Sequence, residues 1–173
     1  MSAIYRVQQF ARAAVAWAYP ARIDEDLLSH YLSPAAIELF RAMPRYDRRH
    51  ALAVFHTLSQ RGQDEPDLLV AALLHDVGKA APPGAGVRLW HRVACVLLHR
   101  FWPALLAQIS EDQSGSWRRP FYVQQHHAAI GAEMARQAGC TARTVDLIRR
   151  HEDPQGPQDG ALLSALKAAD SLN

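Results

Sequence analysis

The segment LLVAALLHDVGK, from Leu68 to Lys79, constrains the fold more than any other part of the chain. It is preceded by Pro66, a residue suited to a helix's first turn, and the run Leu68 to Leu74 is apolar on every side. A helix without a polar face has to be surrounded by other elements. The run then ends in an imidazole, a carboxylate and an ammonium, from His75, Asp76 and Lys79. Burying such groups unpartnered is heavily penalised, and shared coordination of a metal ion is one of the few arrangements that satisfies a histidine and an aspartate together. The expectation is a central helix that delivers ligands inward at its end.

Helix punctuation recurs along the rest of the chain. Ser33-Pro34 reads as an N-cap with proline at the first helical position, opening a helix over 35–43 that Pro44 ends. Asp47 is expected to cap a helix with Leu52, Phe55 and Leu58 or Ser59 on one face, His50 in its first turn, and Gly62 as a left-handed stop. After a break at Pro82, Pro83, Gly84 and Gly86, VRLWHRVACVLLHRFWPALLAQI reads as one helix kinked or divided near Pro103. Beyond the polar loop EDQSGS, helical periodicity resumes before His127 and stops at Gly139. Thr141 is expected to cap a helix to about His151, and Asp159 one to Asp170. Alternating strand patterns are absent, so the predicted fold is an all-α bundle. With 173 residues, no internal repeat and no long linker, it should form a single domain.

The 19 Lys and Arg against 17 Asp and Glu are too balanced to imply a long nucleic-acid track, and no stable nucleic-acid partner is expected. Only Lys79 and Lys167 are lysines. The arginine excess suits phosphate, but coding bias explains it equally well and is the preferred account. Cys95 and Cys140 do not suggest a disulfide framework, which points to a reducing cytoplasm. The opening segment carries Arg6 and Arg12, and its apolar run from Ala13 to Tyr19 is short for a secretory signal. The run Val93 to Leu98 is followed at once by His99 and Arg100. No transmembrane segment is expected, and the chain should be soluble.

His50 precedes His75 by 25 residues on a separate amphipathic helix, and Asp170 lies in the terminal apolar sequence LLSALKAAD. Bundles build metal sites from inward-pointing side chains of different helices, so scattered ligands are what such a site looks like in sequence. His50, the His75-Asp76 pair and Asp170 resemble the H...HD...D signature of HD-domain metal-dependent phosphohydrolases, a helical superfamily that hydrolyses phosphate esters. His127, four residues before Gly131 in HHAAIGAEM, and His151 in RRHED resemble the additional histidines of binuclear members. The chain is thus similar to HD-GYP phosphodiesterases and to the HD family of symmetrical dinucleoside tetraphosphate hydrolases over about residues 46–173. Residues 1–45 are left as an N-terminal helical extension packed on the core. No GYP tripeptide follows His151, and Arg150 stands where HD-GYP members place another histidine, which disfavours a cyclic-di-GMP phosphodiesterase.

The resemblance implies that His50, His75, Asp76 and Asp170 hold one divalent ion, with Asp76 bridging to a second held by His127 and His151. Imidazole and carboxylate ligands suit Fe, Mn, Co, Ni, Zn or Mg and do not choose among them. It implies a phosphohydrolase that cleaves a phosphomonoester or phosphodiester of a nucleotide or related small metabolite with a metal-activated water, Asp76 and Lys79 being the catalytic residues and Lys79 neutralising a substrate phosphate. The alternative is a catalytically weak or inactive metal-binding module that binds nucleotide in a regulatory or scaffold role. A nuclease is a third reading, disfavoured by the charge balance.

His126 is the rival of His127, but adjacent helical residues face about 100° apart, and the Gly131 spacing favours His127. His30, His56, His91 and His99 are assigned structural or solvent roles. Trp90, His91, Arg92, His99, Arg100, Phe101 and Trp102 make one segment unusually aromatic and basic. Helix packing is the preferred account. A lid over a nucleobase, a homodimer surface and a patch for acidic lipid heads are the alternatives. Arg118-Arg119 and Arg149-Arg150 could guide an anionic substrate, although most exposed arginines are simply solvated.

Overall fold

The computed structural model describes residues 24–80 and 87–173, which form nine α-helices and no strand. They are α1 (Glu25–Tyr31), α2 (Pro34–Ala42), α3 (Arg45–Gln60), α4 (Pro66–Leu74), α5 (Leu89–Phe101), α6 (Pro103–Ile109), α7 (Arg119–Gln137), α8 (Ala142–Arg150) and α9 (Ala161–Asp170). A 3-10 turn, Val77–Ala80, follows α4 almost directly. The expectations for Arg6, Arg12, the run 13–19 and the break at 82–86 lie outside the described residues.

Several helix ends follow from local chemistry. Ser33 accepts a hydrogen bond from the Ala36 amide and Pro34 opens α2, while Thr141 accepts from the Thr144 amide to open α8. Gly62 and Gly139 take positive φ angles of 74° and 83° just beyond α3 and α7, a region where a Cβ is costly. The expected helix over 87–109 is divided, because Pro103 lacks the amide that would continue α5 and instead begins α6.

Two expected caps are corrected. Helix α3 begins at Arg45 after Pro44, so Asp47 lies inside it and His50 is in its second turn. Asp47 is fully buried and receives both terminal nitrogens of Arg92 from α5, at 2.7 and 2.6 Å. Gly160 occupies the cap position of α9. Asp159 instead accepts from the Lys167 ammonium at 2.8 Å and the Gly156 amide at 3.3 Å. In both cases a cation competes successfully for a carboxylate that could have served its own helix start, 45 residues away for Asp47 and two turns into α9 for Asp159.

Helix α4 occupies the centre. Leu68, Leu69, Ala71, Ala72, Leu73 and Leu74 are all buried, which removes nearly its whole apolar circumference from water. Helices α3, α8 and α9 pack around it, and α7 packs on α8 and on the 3-10 turn. Leu28 of α1, Ala36 and Phe40 of α2 and Met43 belong to the same core. At about 25 cal/mol per Å² of apolar surface, a fully buried leucine contributes roughly 1.5–3 kcal/mol, so this helix is held in place by its leucines. Its C-terminal end is thereby fixed at the point where α3, α7, α8 and α9 converge.

Candidate metal centre

The sequence places polar residues where these helices meet. His75 is the C-cap of α4 and Asp76 follows it, His151 is the C-cap of α8, and Asp170 is the last residue of α9. His50 and His127 come from within α3 and α7. His127 is fully buried and points inward, whereas His126 is exposed and rests against Tyr122, with ring centroids 4.3 Å apart.

A backbone contact brings the turn to α7. A Cβ built on Gly78 would overlap the His127 carbonyl and lie 2.7 Å from the Gly131 nitrogen, and one on Gly131 would lie 3.0 Å from the Gly78 nitrogen. Only glycine at Gly78 permits this approach, which sets Asp76 beside His127.

Asp76 is the hub. Its Oδ1 lies 3.3 Å from His127 Nε2, 3.8 Å from both His75 Nε2 and His151 Nε2, and 2.6 Å from Lys79 Nζ. Asp170 Oδ1 lies 2.8 Å from His50 Nε2 and 3.6 Å from His75 Nε2. Possible ligand atoms fall into three overlapping groups, each within 4.8 Å: His50, His75 and Asp170; His75, Asp76 and His151; and His127, His151 and Glu152. Five of the six expected ligands occur in the first two groups, and His127 joins through the third.

The tautomers are fixed by backbone carbonyls. His75 Nδ1 is 2.9 Å from Ala72 O, His127 Nδ1 is 2.9 Å from Gln124 O, and His151 Nδ1 is 2.7 Å from Ile148 O. A carbonyl can only accept, so each Nδ1 carries a proton and, in the neutral ring, Nε2 carries the lone pair. The Nε2 atoms of His75 and His127 are buried without a hydrogen-bond partner. Orphaned polar atoms are costly inside a protein, and these two face carboxylates, so the donor set fits a divalent cation.

The electrostatics agree. Burial opposes protonation of His75, yet Asp76 and Asp170 outweigh it and raise the imidazole to about 9. His151 is pushed down to about 3 by burial and then by the charge on His75. Burial would raise the Asp76 carboxyl, but Lys79 and His75 hold it well below the usual carboxylate range. Asp170 is likewise lowered against its burial by His50 and His75. Burial also works against a charged Lys79, and Asp76 more than restores it. Two ionised carboxylates among imidazoles form a negative pocket that favours either a proton or a cation.

Glu152 is the residue sequence reasoning missed. Its Oε1 lies 3.4 Å from His127 Nε2, and its side chain is half exposed. Its position next to His151 in RRHED was the available signal, but a glutamate just past a helix end looks solvated in sequence. Three of these four arginines are engaged elsewhere: Arg118 and Arg119 meet Glu111 and Asp112, and Arg150 meets Asp146, Asp153 and Asp159.

A family model for the HD domain matches residues 48–173, and the chain belongs to this family of metal-dependent hydrolases. No curated protein and no solved structure matches the chain.

Proposed function

We propose that the chain is a phosphohydrolase that cleaves a phosphomonoester or phosphodiester of a nucleotide or related small metabolite, and that it works in the cytoplasm. The observation that carries this reading is the single carboxylate of Asp76, with three histidine Nε2 atoms and the Lys79 ammonium within 4.0 Å of its Oδ1. His50, His75, Asp76 and Asp170 would hold one divalent ion, and Asp76, His127 and His151 a second. Bound ions of this kind supply Lewis acidity and make water nucleophilic near neutral pH. Around them, the carbonyls of Ala72, Gln124 and Ile148 hold the imidazoles in the ligating tautomer. Lys79 stays charged beside Asp76 and is available to a phosphate oxygen when that contact loosens. In the same reading residues 46–173 are the catalytic domain and residues 1–45 an extension.

The test is phosphate release from a panel of nucleotides and dinucleotides in Mn, Fe, Co or Mg. Release that disappears in Asp76→Ala supports the enzyme. Tight nucleotide binding with no release under any metal refutes it and favours a regulatory binding module.

A further inference from the structure

Helix α5 has two unlike faces. Inward, His91 and Cys95 are buried, the first edge-on to Phe121 at 5.5 Å, while Arg92 reaches Asp47. Outward, Trp90, Leu97 and Phe101 are exposed, as are Trp102, whose ring centroid lies 5.8 Å from that of Phe101, and Leu105 of α6. Trp117 belongs to the same region, because Trp90 and Trp117 both stand edge-on to Phe121, at 6.0 and 6.2 Å. Trp90, Phe101 and Trp102 are 54%, 59% and 61% exposed, so the preferred packing account of this segment fails for its largest side chains, and Trp117 is exposed as well. Single exposed apolar residues are ordinary, but a cluster of aromatics marks a contact surface.

Charge identifies the occupant. Residues 87–110 contain no aspartate or glutamate, and with Arg92 turned inward onto Asp47 the cations left to the outward side are Arg88 and Arg100. The Arg100 guanidinium lies 5.6 Å from the Phe101 ring centroid, and that of Arg118 lies 5.5 Å from the Trp117 centroid. The next acids along the chain, Glu111 and Asp112, are paired with Arg118 at 3.5 Å and Arg119 at 3.3 Å. A second copy of the chain meeting this face about a two-fold axis would set arginine against arginine. A bilayer with anionic headgroups complements both features: tryptophan rings settle at the headgroup level, and arginine meets lipid phosphate. We propose that the α5–α6 face docks the protein on an anionic phospholipid surface. The contact is peripheral, since no helix among the described residues is long and apolar enough to cross a membrane. It is independent of the hydrolytic reading, because none of these side chains belongs to the metal centre.

The test is co-sedimentation of the full chain with vesicles of phosphatidylcholine alone or mixed equally with phosphatidylglycerol. Binding should require phosphatidylglycerol, weaken with salt, and shift tryptophan emission to the blue. Phe101→Ser with Trp102→Ser should lower partitioning at least about tenfold, and Arg100→Gln about fivefold. Unchanged far-ultraviolet circular dichroism and melting would separate these effects from misfolding. A chain that ignores anionic vesicles, or variants that bind as well as the parent, overturns the proposal. So does a dimer in sedimentation equilibrium that the same variants dissociate without any vesicle binding, which would assign the face to a second copy.

Discussion

Replacing Arg92 by methionine should destabilise the protein far more than an ordinary ion pair would suggest. The two nitrogens of Arg92 meet the two oxygens of Asp47 at 2.7 and 2.6 Å, and the Asp47 side chain has no solvent exposure. Methionine preserves much of the arginine stem but leaves a carboxylate enclosed with no cation against it. Breaking a buried pair from one side costs about 3–5 kcal/mol, against about 0–1 kcal/mol for a surface pair. For a chain of this length each kcal/mol lowers Tm by roughly 2–4 °C, which gives a fall of roughly 6–20 °C. Asp47→Leu should cost less, because the Arg92 side chain is already 17% exposed and can turn its head to water. The double variant Asp47→Leu/Arg92→Met should recover most of the loss, since neither charge then remains buried. Urea unfolding of the four proteins closes the cycle. A cost below about 1 kcal/mol for Arg92→Met, or additive single costs in the double variant, would refute the account of a desolvated pair.

Four further outcomes follow from the centre and the turn beside it. His75 is held at about 9 without metal, so a cation that takes its Nε2 must release a proton below that pH. Apparent Mn affinity should therefore rise up to about tenfold per unit between about pH 7 and 9, and calorimetry in buffers of different ionisation enthalpy should count the proton; affinity independent of pH excludes it. Because the folded value lies above the unfolded value of about 6.5, the metal-free protein should instead lose this stabilisation as pH rises through about 9, as read by melting. Glu152→Gln should weaken the second ion about tenfold and spare the first in metal titrations, and identical isotherms would show that Glu152 is no ligand. Gly78→Ala should cost about 1–3 kcal/mol by urea unfolding, because its methyl group meets α7 backbone; an unchanged midpoint would mean that the turn and α7 are not in contact.

The elements that were legible in sequence share one property: their cause lies within a few residues. Ser33-Pro34 and Thr141 announce helix starts through side chains that reach their own next turn, and the run Leu68 to Leu74 announces burial through its lack of any polar face. The inward aim of His127 rather than His126 followed from helical angle and from Gly131, whose spacing marks the close approach of Gly78. What escaped depends on partners far along the chain. Asp47 looked like a cap because nothing near it reveals Arg92, 45 residues away. Asp159 is a nearer case: it turns to Lys167, eight residues on in α9, and to Arg150, nine residues back, instead of to the first amides of that helix. Glu152 becomes a candidate ligand only because α8 ends beside α7, and the outward aromatics of α5 resembled core residues because composition does not say which face of a helix is covered.

The carbonyl clamps on His75, His127 and His151 have an implication for change in this centre. Each ring leans on the main chain of its own last turn, at Ala72, Gln124 or Ile148, and every amino acid offers that same oxygen. The clamps therefore ask nothing of the side chains at those three sites, and Ala72 and Ile148 are constrained instead by the core that they fill. The aim of the rings is set by the main chain, and it holds as long as the turns themselves stay helical.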